Sequence, residues 1–141
     1  MSSLYVRETV RGWLRDTPGL ILPFFDTVNQ EQHPDAPAWS TLLFVNANAS
    51  KVTYCGHIEE RGTFDFLALA RPGGGDAALL RAAEHDAAIL LACGDARLTL
   101  LHAGPPDDFL QAGGVPWYTV AISIDYFYLQ PLPAIPKEVT P

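Results

Sequence analysis

The sequence contains little cysteine and little charge. Its two cysteines, Cys55 and Cys93, are too few for the disulfide framework of a small secreted protein, so we expect a reducing, cytoplasmic environment. Only 18% of the 141 residues are charged, and 9 Lys and Arg against 16 Asp and Glu give a formal net charge of -7. Because nonspecific affinity for nucleic acid depends on many cations facing phosphates, this balance argues against a nucleic-acid partner, and no sequence-specific one is predicted.

Long apolar runs and targeting signals are also missing. No stretch approaches the roughly 20 consecutive apolar residues that span a bilayer, and no basic segment precedes an apolar one at the N-terminus. We therefore predict no membrane partner and no secretory signal. The 11 glycines and 12 prolines together make up about 16% of the 141 residues. This fraction is below the roughly 25–30% that is typical of disordered chains. The length suits one globular domain.

Two helices are predicted from apolar spacing. In residues 3–16, apolar side chains recur at i, i+4, i+7 and i+8, with Ser2 or Ser3 as N-cap and Pro18-Gly19 as the end. An alanine-rich helix is predicted to follow Asp76 as N-cap and to stop before Gly94. Its predicted buried face comprises Leu80, Ala83, Ala87, Leu90 and Leu91.

Strands are predicted from β-branched and aromatic content and from alternation. They cover residues 39–46, 51–58, 63–70, 97–102 and 117–129. Turn-forming residues predict turns at 46–50 and 59–62, and a long loop at 104–116. The order of elements predicts an α+β fold, a mixed, mostly antiparallel β-sheet packed against two α-helices. Residues 1–130 are predicted to form this single domain, and 131–141 a Pro-rich, flexible tail.

The last predicted strand is apolar on both faces. Tyr118, Val120, Ile122, Ile124, Tyr126 and Tyr128 share one face. Trp117, Phe127 and Leu129 lie on the other. Two-sided apolarity means either that both faces are covered within the domain or that one meets a partner.

The sequence predicts no catalytic, cofactor-binding or metal site. The Gly73–Gly75 run lacks the Lys and the Ser or Thr of a phosphate-binding loop. Cys55, His57, Cys93 and His102 match no familiar zinc spacing.

Carboxylates and nucleophiles do not point to catalysis either. The carboxylates of Glu59-Glu60, Glu84 to Asp86 and Asp107-Asp108 are predicted to be solvated in turns or on a helix surface. No nucleophile elbow of the G-x-S-x-G type occurs.

The order of segments resembles the tail terminator proteins of long-tailed bacteriophages. After an N-terminal helix and a Pro-rich approach to a Trp-containing strand come Arg61-Gly62, the Pro72–Asp76 run, the alanine-rich Ala77–Leu91, and Gly114–Tyr126 with the pattern G-x-x-W-Y-x-V-x-I-x-x-x-Y. The similarity extends from about residue 3 to residue 130. The Pro-rich C-terminus departs from it.

The resemblance implies an α/β fold with a central mixed sheet and no active site or cofactor. It implies a hexameric ring that caps the tail tube, stops its polymerisation and presents a surface for head joining. The implied partners are other copies of the chain, the tail tube protein and a head completion or connector protein, in the virion tail and, during assembly, the host cytoplasm. Residues 46–61 and 104–116 would be loops that order on assembly. The predicted assembly contacts are Asn46, Lys51, Arg61, Asp107, Asp108, Phe109 and Trp117.

Other functions remain open at this point. The alternatives are another head-tail joining or minor tail protein and a ligand-binding module. A small hydrolase would use His57 or His102 with Asp107 or Asp108.

Overall fold

A computed structural model of the protein describes residues 3–26, 37–52, 57–71, 76–110 and 117–131. The described elements, in chain order, are α1 (Leu4–Asp16), β1 (Ala38–Val52), β2 (His57–Ala70), α2 (Ala77–Leu91), β3 (Leu98–Ala103), β4 (Asp107–Leu110) and β5 (Tyr118–Pro131). The predicted α+β class is confirmed. Residues 27–36, 111–116 and 132–141, with the predicted tail, lie outside the described residues.

The strands form one sheet of order β1-β2-β5-β3, with β4 also paired to β5. Every pairing between these strands is antiparallel. Within the described part of the chain the parallel contact is an isolated bridge between Phe24 and Ser40. β1 therefore lies at one edge of the sheet, and β3 and β4 follow one another along the opposite edge.

The main core lies between the two helices and one face of the sheet. The apolar stripe of α1 is confirmed, because Val6, Val10 and Leu14 are buried. β2 and β5 contribute their alternating apolar residues to the same cluster, namely Phe64, Phe66, Ala68, Val120, Ile122, Ile124, Tyr126 and Tyr128. Burying such a side chain contributes about 1.5–3 kcal/mol, so this layer supplies most of the apolar stabilisation.

The ends of α1 also agree with the sequence. The Ser3 hydroxyl accepts a hydrogen bond from Val6 N, and Gly19 adopts a φ of 90° just beyond the helix. The helix itself ends because Thr17, the residue before Pro18, is extended with φ -73° and ψ 124°, and the positive φ that only glycine adopts without strain comes two residues later.

α2 differs from its prediction in the face that it buries. Its buried residues are Leu79, Ala82, Ala83, Asp86, Ala87 and Leu90, whereas Leu80 and Leu91 are only half-buried. Asp76 occupies the N-cap position without a side-chain capping hydrogen bond, and the helix ends at Ala92 as C-cap. The face is set by packing against β2, β3 and β5, which apolar spacing alone does not orient.

The predicted turns at 46–50 and 59–62 are wrong. β1 and β2 pair from Ala38 opposite Ala70 to Val52 opposite His57, with a bulge between Phe44 and Asn46. Residues 59–62 also pair with 126–129 of β5. Residues 59–62 are paired on both sides and residues 46–50 on one side, and this pairing overrides the local preference of Asn, Gly and Ser for turns. The segment predicted as an assembly loop, 46–61, is thus largely strand, and the one at 104–116 contains β4.

Gly62 makes this pairing possible. A Cβ at this position would lie 2.5 Å from the Asn46 carbonyl oxygen and 2.6 Å from the Tyr126 hydroxyl. The phenol of Tyr126 passes across Gly62 and donates a 2.7 Å hydrogen bond to Glu60. Only glycine leaves room for this crossing.

We predict that Gly62→Ala destabilises the fold by about 1–3 kcal/mol, because the added methyl group displaces either the Asn46 backbone or the buried phenol. Gly12→Ala is the matched control, since its Cβ would meet nothing within 4 Å. In the middle of α1 that substitution should stabilise by about 0.5–1 kcal/mol. Urea unfolding of both variants measures the difference, and equal stability of Gly62→Ala and the parent would refute the packing argument.

Candidate functional site

Glu60 is a buried carboxylate that joins the sheet to α1. Its side chain is 4% exposed, and one oxygen accepts hydrogen bonds from the Tyr126 hydroxyl at 2.7 Å and from the backbone N–H of Ser3 at 3.3 Å. The N-terminal end of a helix carries partial positive charge, so it stabilises the anion. The prediction of a solvated turn carboxylate is wrong for Glu60, because β2 runs through the centre of the sheet here.

Asp86 is a second buried carboxylate, and the prediction that it belongs to a solvated face is also wrong. Its two oxygens accept the backbone N–H groups of Ile21 and Leu22, each at 2.8 Å. The contact ties the chain after α1 onto α2. Asp86 falls three residues after Ala83 and four before Leu90, so helical spacing within the buried stripe is the signal that would have found it.

Asp26 is the third. It is buried beside two arginines of α1, with Arg11 Nε at 3.4 Å and Arg15 Nη2 at 3.5 Å. These arginines are one helical turn apart, so both reach the same carboxylate. Glu60, Asp86 and Asp26 are each occupied in binding one element to another.

Asp95 holds the turn before β3. It accepts hydrogen bonds from Tyr5 and from the backbone N–H groups of Arg97 and Leu98. Burial alone would raise the pKa of Asp95, but these donors outweigh it and hold the pKa below the ordinary 3.8. The same hydrogen bond raises the pKa of Tyr5 above 10.0. This carboxylate too has a structural role.

A row of polar side chains crosses the sheet face opposite the helices. Thr63 donates to Asp125 and Ser123 donates to Asp65, both at 2.7 Å. His102 Nε2 lies 3.3 Å from the other Asp125 oxygen. His102 therefore faces Asp125, and not Asp107 or Asp108 as the hydrolase alternative required.

This row does not assemble a nucleophile, base and acid. The hydroxyl of Thr63 binds the Asp125 carboxylate, whereas a hydrolytic triad needs the hydroxyl on the imidazole. His102 and Asp125 are also open to solvent, with 69% and 40% of their side chains exposed.

The cysteines and histidines do not converge in the described part of the chain. Cys93 Sγ lies 3.7 Å from Thr17 Oγ1 and donates to the Ile89 carbonyl, whereas His102 contacts Asp125. Cys55 and the His57 side chain lie outside the described residues. Among residues the structure describes, no group of three or more His, Cys, Asp or Glu is arranged to hold a metal ion.

Two of the predicted assembly contacts share one groove. Asn46 and Arg61, both exposed, line a shallow depression of about 260 Å³ with Thr63, Leu101 and Asp125. Arg61 Nε lies 2.6 Å from Glu59 Oε1, and its guanidinium lies 5.1 Å from the Phe127 ring centroid. Lys51 belongs to β1, but its side chain lies outside the described residues.

The other contacts lie at the opposite edge. Asp107 and Asp108 are exposed on β4, and Asp108 accepts a 2.8 Å hydrogen bond from Tyr118. Phe109 pairs with Thr119 through its backbone, and its side chain is not among those described. On β5, Asp107 pairs with Ala121 and Arg61 pairs with Phe127, six positions further along the strand. At 3.3–3.4 Å per residue, these two pairing positions are about 20 Å apart. The structure thus places Asn46 and Arg61 in one patch and Asp107 and Asp108 in another.

Trp117 is not the exposed aromatic that was predicted. Its side chain is 5% exposed and packs in a second apolar cluster with Trp39 and Leu69, on the sheet face away from the helices. The Trp39 and Trp117 rings meet edge to face at 5.7 Å. At Trp117, therefore, the second apolar face of the last strand is covered within the domain and does not meet a partner.

The exposed apolar residues are elsewhere, and the sequence analysis missed them. Leu43 and Val45 on β1 are 54% and 53% exposed, and Leu101 on β3 is 50% exposed. Alternation along the predicted strand 39–46 is the signal that would have found Leu43, because it places Leu43 on the face opposite its neighbour Leu42.

No protein-family model matches the chain, and no curated protein matches it. Within the described ranges, neither helix is long and apolar enough to cross a membrane.

We predict that Asp86→Ala destabilises the fold by about 2–4 kcal/mol, because the buried N–H of Leu22 and the partly buried N–H of Ile21 lose a charged acceptor. Glu84→Ala, on the exposed side of the same helix, should change stability by less than about 0.5 kcal/mol. Thermal and urea unfolding compare the two variants. If Asp86→Ala lowered the free energy of unfolding no more than Glu84→Ala does, the structural role of the Asp86 hydrogen bonds would be contradicted.

We predict a pH effect at Tyr118. Its hydrogen bond to Asp108 raises the pKa of the phenol from 10.0 to about 12, so the contribution to stability is present below pH 10 and is lost as pH rises through about 12. Asp108→Asn should move one phenolate transition, among five tyrosines, down toward pH 10. Absorbance titration measures it. Asp107→Asn, which does not contact Tyr118, should leave the curve unchanged, and a shift there would contradict the assignment.

Proposed function

We propose that this protein is a structural component of a long-tailed bacteriophage that assembles as a ring on the end of the tail tube. In this role it terminates tail polymerisation and provides the surface for head joining. Its partners are further copies of itself, most simply six in a ring, the tail tube protein and a head completion or connector protein. The virion tail is its final location, and the host cytoplasm its place of assembly.

One observation carries the proposal: of the five large apolar side chains that are exposed among the described residues, three, Leu43, Val45 and Leu101, lie on strands of the sheet. Leu43 and Val45 stand on an edge strand and are more than half exposed. Apolar exposure of this kind favours contact with protein surfaces over capture of a small molecule, which prefers concave pockets. The order of elements that resembles tail terminators supports the same role.

The arrangement of charge supports an assembly role as well. The buried carboxylates Glu60, Asp86 and Asp26 are each occupied by donors of the fold. A ring contact is heterologous and needs two different patches on each subunit. Asn46 and Arg61 lie in one patch on the β1–β2 side, and Asp107 and Asp108 lie in another on β4.

Electron microscopy of the purified chain mixed with tail tubes tests this proposal. The tubes come from the phage or prophage whose genome carries the gene. We expect rings at tube ends, and we expect deletion of the gene to give tubes longer than those of the parent phage. An unrelated acidic protein of similar size is the control for nonspecific adhesion. Absence of rings and of tube-end binding under all conditions, with normal tail length in the deletion, would refute the proposal.

A further inference from the structure

β1 is an edge strand whose outer side is open over most of its length. The Ser40 backbone bonds outward to Pro23 O and Phe25 N. In an antiparallel strand alternate residues direct both backbone groups to the same side, so Leu42 and Phe44 also direct theirs outward. From Leu42 onward, no other described segment pairs with that side. A row of backbone donors and acceptors is therefore presented to a partner strand.

This edge lacks most of the features that prevent pairing. Natural edge strands are protected by charged residues, proline, bulges or covering segments. Residues 42–50 contain no charged residue and no proline, and the bulge between Phe44 and Asn46 is the protection that the structure shows there. Val45 is the residue that the bulge leaves out of the pairing register, and both it and Leu43 carry half-exposed apolar side chains. The edge is suited to accept another strand.

The opposite edge supplies a strand of different character. β3 is partly covered on its outer side by the bridge between Gly94 and Thr99. β4 pairs with β5 on one side, and on its other side it meets no strand among the described residues. Its exposed residues Asp107 and Asp108 are acidic. β4 is therefore the open part of this edge.

Charge selects which edges meet. Lys51 is the single charged residue of β1, whereas β4 carries two acidic residues. A contact between two β4 strands would bring four carboxylates together in a chain whose net charge is already -7, which like-charge repulsion opposes. A contact of β1 with β4 joins opposite charges.

We infer that β1 of one subunit pairs with β4 of a second copy of this chain, so that neighbouring subunits share one continuous sheet. This inference rests on the self-assembly in the proposed function and assigns its interface. Because the two strands lie at opposite edges, every pair of subunits keeps one free edge of each kind. Such a heterologous contact closes into a ring when the rotation between subunits permits.

The first test places a charge on the β1 edge. Val45→Lys should weaken self-association by about tenfold or more, since a lysine at the pairing edge must lose its hydration. Ile21→Lys is the matched control, because Ile21 is 57% exposed and lies off the sheet. Sedimentation over micromolar to millimolar concentrations measures association, and circular dichroism verifies folding of each variant.

The second test exchanges the charges. Lys51→Asp alone and Asp108→Lys alone should each associate several-fold more weakly than the parent, because like charges then face each other across the contact. An equimolar mixture should associate as well as the parent, since the mixed contacts restore opposite charge. Rescue in the mixture is specific to a contact between two different edges.

Each outcome decides the inference. Weakening by Val45→Lys but not Ile21→Lys, together with rescue in the mixture, supports it. Association of Val45→Lys equal to the parent, or no rescue in the mixture, overturns it, and pairing of β1 with β1 or with another protein's strand then explains any effect of Val45→Lys. Failure of the parent to associate at any concentration also overturns it. Tube-end binding and tail length decide the proposed function separately, because rings formed through another surface would preserve that function.

Discussion

The pairing of β2 on both of its sides is the constraint on which the rest of the structure depends. β2 bonds to β1 and β5 from end to end, and it does so because Gly62 lets the Tyr126 phenol cross the strand. That phenol reaches Glu60, which also accepts the first described N–H of the chain at Ser3. The strand pairing, the packing of the Tyr126 ring and the attachment of the N-terminus of α1 therefore all depend on residues 60–62 of β2.

The buried carboxylates have a consequence for function. In an acidic chain they are the groups most readily taken for a catalytic site, yet Glu60, Asp86 and Asp26 each bind one element of the fold to another. Two described histidines meet a carboxylate: His85 contacts Asp86, whose oxygens already accept backbone N–H groups, and His102 contacts Asp125 on an open, solvated face. What is left for other molecules is a strand edge with a single lysine, an acidic strand at the far edge and the polar face between them.

The candidate site was only partly predictable. The sequence analysis named residues in both patches, Arg61 on β2 and Asp107 on β4 among them, because polar and charged residues are prominent there. It placed them on loops, however, and it counted Trp117 among the exposed contacts although that side chain is buried against Trp39. Whether an aromatic residue on a strand is exposed depends on which segments pack over that face, and those segments come from distant parts of the chain.

The sequence by itself determined the elements whose signals are local. α1 has its serine cap, its apolar stripe and its end before Pro18, and β5 has its strict alternation, because capping, side-chain spacing and backbone sterics act within a few residues. Only the tertiary structure decided that residues 46–50 and 59–62 are strand, that Asp86 is buried, and that β1 lies at an edge. Each of these depends on hydrogen-bond partners far away in sequence, whose pairing energy exceeds local turn and solvation preferences.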